Sequence, residues 1–88
     1  MAQYLIEREI PGAGSLSEEQ LKGMAMYSTE VMKELGIEWV HSYVTDDKVY
    51  CVYHAPDEGA ILEHAKRLGQ PANRISAVRH TVGSEGVK

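Results

Sequence analysis

The chain has 88 residues, 43% hydrophobic and 25% charged, with a net charge of −4. That length makes one domain that buries roughly 60–65% of its unfolded surface, so the core is thin and a dimer covering a further face would add materially to it. The acidic balance argues against a nucleic-acid backbone as partner, the short apolar runs leave no candidate for a membrane-crossing helix, and one cysteine builds no internal disulfide framework.

The chain begins with "YLIEREI" (Tyr4 to Ile10), which reads as a strand closed by Pro11-Gly12. Glu7, Arg8 and Glu9 interrupt any signal peptide, which points to a cytoplasmic address. After the loop "GAGS", Ser17 and Gln20 have capping-box spacing for a helix start. Apolar or small residues recur at Leu21, Met24, Ala25, Ser28, Val31, Met32 and Leu35, one stripe of an amphipathic helix that Gly36 stops. "IEWVHSYVT" and "KVYCVYHA" are β-branched and aromatic runs joined by the turn Asp46-Asp47. Asp57 caps a second helix through about Leu68, with Ile61, Ala65 and Leu68 inward, and Gly69 and Pro71 close it. "RISAVRHTV" (Arg74 to Val82) is a last strand, and "GSEGVK" reads as a frayed tail.

The order β-α-β-β-α-β is the split βαβ pattern of an α+β, ferredoxin-like sandwich, with two helices on one face of an antiparallel sheet and the other face open. Residues 1–83 form that single domain and 84–88 its polar tail. A tight hairpin at Asp46-Asp47 sets Tyr43 against Tyr50, His41 against Val52 and Trp39 against His54. Val40, Ser42, Val44, Val49, Cys51 and Tyr53 then suit packing under the helices. Trp39, His41, Tyr43, Tyr50, Val52 and His54 share the open face, a mixture that suits an interface or a binding wall.

His41 and His54 are diagonal neighbours in this register, roughly 7–8 Å apart, and could lean toward one ion. Glu7 and Glu9 share a side of the first strand and join them if that side is the open one. Each candidate also has a plain structural role. The histidines could bond within a dimer interface or stand in solvent, Glu7 could pair with an arginine such as Arg79, and His64 could be a solvated helix-surface residue. Cys51 reads as a small buried hydrophobe and Tyr43 with Tyr50 as a cross-strand aromatic pair. Asp46 and Asp47 read as turn-formers, and Gly12 to Gly14 as a flexible loop. No dinucleotide, P-loop, HExxH or GxSxG motif is present.

"YLIEREIPGAG", "WVHSYVTDDKVYCVY" and "EHAKRLGQP", followed by a valine-rich strand, resemble a family of small bacterial proteins of unknown function, some described as nickel-binding. The resemblance runs from about Tyr4 to Val82. It implies a ferredoxin-like homodimer that binds a divalent metal through histidine and carboxylate groups near the dimer surface and serves in metal sequestration. Glu7, His41 and His64 match the family's pattern, whereas His54 lies where relatives often carry an apolar residue and enters as an added donor. Imidazole and carboxylate suit Ni(II), Zn(II) and Cu(II) alike, so nickel rests on the resemblance.

Two functions follow. One is a non-catalytic, dimeric nickel-binding protein using Glu7, His41, His54 and His64. The other is a small-molecule enzyme or ligand carrier of the dimeric ferredoxin-like monooxygenase and isomerase type, with Trp39, Tyr43 and Tyr50 as an apolar wall and a cavity beside His41.

Overall fold

A computed structural model describes all residues, 1–88. Strand β1 (Ala2–Glu9), helix α1 (Glu18–Leu35), strands β2 (Glu38–Val44) and β3 (Lys48–Ala55), helix α2 (Glu58–Leu68) and strand β4 (Arg74–Ala77) follow in the expected order. The sheet runs β2-β3-β1-β4 with every neighbouring pair antiparallel. This is the ferredoxin-like arrangement.

The helix ends are those that the sequence signals. The Ser17 hydroxyl accepts from the Gln20 amide at 3.1 Å while the Gln20 side chain accepts from the Ser17 amide at 2.9 Å, satisfying two of the free donors of α1. Asp57 accepts from the Ala60 amide at 2.9 Å at the start of α2. Both helices stop at a glycine in the left-handed region, Gly36 and Gly69.

Along β1 the side chains alternate. Ile6 and Arg8 point under the helices and are buried, while Leu5, Glu7 and Glu9 point to the face that no helix covers. Ile6, Met32, Ile37, Cys51, Tyr53, Ala55 and Ile61 form the core, so the hydrophobic centre lies wholly on the helix side.

Three expectations change. The loop before α1 is not merely flexible. Residues Ala13–Ser15 make a 3₁₀ turn, and the tip of the β2–β3 hairpin docks on it: Gly14 N–H donates to Asp46 O at 3.0 Å and Ile10 N–H to Asp47 O at 2.9 Å. A Cβ on Gly14 would stand 2.9 Å from Asp46 Cα, so this approach needs glycine. The turn acids are thus part of a packed corner.

The last strand is shorter than Arg74 to Val82. Val78 N–H still donates to Gln3 O at 2.8 Å; beyond it the chain leaves β1 and folds on itself. The segment read as a frayed tail there forms a small hairpin, β5 (Val82–Gly83) with β6 (Gly86–Val87), closed by reciprocal backbone bonds between Thr81 and Lys88.

The third change is a β-bulge. The β2–β3 pairing holds as expected from Val44–Val49 to His41–Val52, then shifts between Trp39 and His41, so that Trp39 faces Tyr53 and Glu38 faces His54. Because side chains alternate, one extra residue turns Trp39 to the opposite face from the expected one.

Candidate functional site

The open sheet face is built in rows across the strands. Tyr43, Tyr50 and Glu7 occupy one row, His41, Val52 and Leu5 the next, and Glu38, His54 and Gln3 the third. Tyr43 is exposed, and the His41 ring sits edge-on to it with centroids 4.9 Å apart, so this histidine stands free on the surface apart from one aromatic neighbour. His54 Nδ1 lies 3.4 Å from Glu38 Oε1 across the bulged pair. Glu38 is the site residue the sequence concealed, because only the bulge brings it opposite His54.

Glu7 does share this face, as the open-side alternative required, but its carboxylate reaches Lys48 Nζ at 3.5 Å and not a histidine. That carboxylate is the first cause raising the Lys48 pKa above its ordinary value. One row separates Glu7 from His41 and two rows separate it from His54. No three groups among histidine, cysteine, aspartate and glutamate come together as a ready metal cage. A single subunit thus places His54 beside Glu38, with His41 one row away on the same face.

His64 is elsewhere. It is not a solvated helix-surface residue but is fully buried, 0% exposed, beneath α1. It lies three residues after Ile61, one helical turn along the same inward stripe. Its Nε2 meets Ser28 Oγ at 2.8 Å, and its ring packs edge-on against Tyr53 at 5.6 Å. Burial first, and the positive charge of Arg8 second, push its pKa down to about 4, so it is neutral near pH 7. Its Nδ1 has no hydrogen-bond partner. The Ser28–His64 pair therefore lacks the third group that would orient a general base, and its basicity is low for activating a hydroxyl. The sheet separates His64 from His41 and His54.

Trp39 likewise belongs to the helix side. Its indole N–H donates to Ser42 Oγ at 2.9 Å, which holds the bulge. The apolar wall expected from Trp39, Tyr43 and Tyr50 is divided by the sheet, with the two tyrosines outside and the tryptophan within. The expected cavity beside His41 is replaced by one behind the sheet. It has a volume of about 310 Å³ and lies between α1 and strands β1 to β3, with Leu21, Met24, Ala25 and Val49 among its apolar walls and Arg8, Ser28 and Tyr53 among its polar ones.

Arg8 is the unexpected residue here. It is 1% exposed, donates from Nη1 to Pro71 O at 2.7 Å, and lies with Nη2 3.4 Å from the Tyr53 hydroxyl. Burial works against its charge, but a guanidinium gives up its proton only far above ordinary pH, so Arg8 stays charged. Burial is also the main cause raising the Tyr53 pKa, which keeps the phenol protonated. Alternation in β1 could have revealed Arg8, since a residue two places from buried Ile6 shares its face.

The family model of the nickel responsive SCO4226-like proteins matches residues 4–78. Among solved structures, the crystal structure of SCO4226 from Streptomyces coelicolor A3(2) has a TM-score of 0.78 and 18% identity, covering 91% of this chain and 99% of that one. At that identity the likeness concerns the fold. No curated protein matches the chain. With three quarters or more of its length matched by one family model, the chain belongs to the SCO4226-like family of nickel responsive proteins.

Proposed function

We propose that this protein is a non-catalytic metal-binding protein that sequesters a divalent ion, nickel, on the open face of its sheet as a homodimer in the cytoplasm. The observation that carries this reading is the His54–Glu38 pair, an imidazole nitrogen and a carboxylate oxygen 3.4 Å apart on a face no helix covers, with His41 on the same face. Membership of a nickel responsive family supports the choice of ion. The face also offers Leu5, Tyr43 and Val52 as apolar surface for a second copy, which suits a thin-cored domain. Since one subunit supplies few donors, the ion completes its shell with water or with donors of the second copy. In this reading Glu7 stays tied to Lys48 and His64 takes no part.

Calorimetric titration of metal-stripped protein with Ni(II) tests this. Saturable binding is expected, weakened by about tenfold or more in His54→Ala and in Glu38→Gln, and unchanged in His64→Gln. Coordination needs an unprotonated imidazole, so affinity should fall as the pH is lowered from about 7.5 to about 5.5. Equal affinity in wild type, His54→Ala, Glu38→Gln and His41→Ala would remove the open face from any metal site.

A further inference from the structure

The cavity behind the sheet combines two features that the metal reading does not use. Its walls are apolar on the α1 side, from Leu21, Met24 and Ala25, and its inner side presents Arg8. Arg8 is buried, yet none of the ion pairs in the molecule includes it; its hydrogen-bond partners are a backbone carbonyl and a phenol, both neutral. A buried cation is normally paired, because the cost of removing it from water is repaid only by an opposite charge or a full set of hydrogen bonds. This chain has 13 acidic residues and an excess of negative charge, and still places none beside Arg8.

We propose that this cavity binds a small apolar monocarboxylate, its carboxylate against Arg8 and its hydrocarbon part against α1. A guanidinium has five N–H donors, and the two hydrogen bonds seen here leave others for the fork geometry that a carboxylate accepts. The protonated Tyr53 hydroxyl, which accepts from Arg8 and keeps its own proton, is a further donor on the same wall. Arg8 is the only buried cation of the lining, Lys22 being exposed to solvent, and one buried cation matches one carboxylate. A phosphate carries more charge and hydration than a single arginine among apolar walls can compensate. The volume of about 310 Å³ stands at the lower end of ordinary ligand pockets, the range for a medium-chain or single-ring acid. The site lies on the opposite side of the sheet from His54 and Glu38, so its occupancy is independent of the metal reading.

Trp39 is the only tryptophan and lines the cavity, so its fluorescence reports directly on the site. Titration with decanoate, and in parallel with decanol, gives the decisive comparison. Decanoate should bind saturably and about tenfold or more tighter than decanol, the difference reading the charge on Arg8. Ala25→Phe, which fills the cavity from α1, should abolish the response, and Arg8→Met should bring decanoate down to the level of decanol. Should Arg8→Met not fold, the other two arms still decide. Absence of decanoate binding up to about 1 mM, equal binding of the alcohol, or binding undiminished in Ala25→Phe would each overturn the proposal. The first of these is also the outcome expected if a second copy of the chain already fills the cavity.

Discussion

Acidification should destabilise this protein by about 2–3 kcal/mol through one side chain, His64, as the pH falls from about 7.5 to about 4.5. The buried ring has its pKa pushed down to about 4, whereas in the unfolded chain it titrates near the ordinary histidine value of about 6.5. Below that value the unfolded state binds a proton that the folded state refuses, so protons favour unfolding. The contribution of His64 is complete above about pH 6.5 and is progressively lost toward about pH 4, where the folded ring also protonates. Protonation would place a second positive charge in the neighbourhood of Arg8 and force Ser28 to act as acceptor at Nε2. Urea unfolding of the wild type and of His64→Gln at a series of pH values checks this. The variant keeps a group able to bond Ser28 but cannot titrate, so its stability should fall less steeply over that window. Parallel pH dependences would mean that His64 is not held neutral by its surroundings.

The second large effect concerns two neighbours on β1. Ile6 is fully buried at the centre of the core and pairs with Cys51 on one side and Ile75 on the other. Ile6→Ala removes those contacts and leaves a void in a core of few large residues, and should cost about 2–5 kcal/mol. Leu5, 40% exposed on the opposite face, should behave differently. Leu5→Ala should cost under about 1 kcal/mol in an isolated subunit, because little burial is lost. In the proposed homodimer, the same change should shift the monomer–dimer balance toward monomer. Denaturant melts at several protein concentrations, with sedimentation of Leu5→Ala, separate the two. Concentration-independent melting and an unaltered sedimentation profile would argue against a dimer through the open face.

The element order and helix ends were legible because each rests on local chemistry. Ser17 with Gln20, Asp57, Gly36 and Gly69 act over a turn or less, and the structure uses each of them as the sequence suggests. The candidate site was less legible, because it depends on one extra residue in β2. "WVHS" contains no glycine or asparagine to announce a bulge, yet the bulge at Val40 moves Trp39 under the helices and places Glu38, not Trp39, opposite His54. Tyr43, Tyr50 and His41 lie between the bulge and the hairpin tip, where the expected register holds. The polarity of His64 points to solvent while its spacing from Ile61 points inward; what makes its burial tolerable is Ser28, a partner from the other helix. The docking of Asp46 and Asp47 on the loop around Gly14 is a tertiary contact with no local signature.

The most direct measurement of the central claim is the location of Ni(II) on the protein, by paramagnetic loss of amide signals in a ¹⁵N-labelled, metal-stripped sample. Sub-stoichiometric Ni(II) should first erase the signals of Glu38, His54 and His41 with their strand neighbours, and leave those around His64 in α2 largely intact. Selective loss around His64, or a weak uniform broadening with no centre on β2 and β3, would contradict a metal site on the open face.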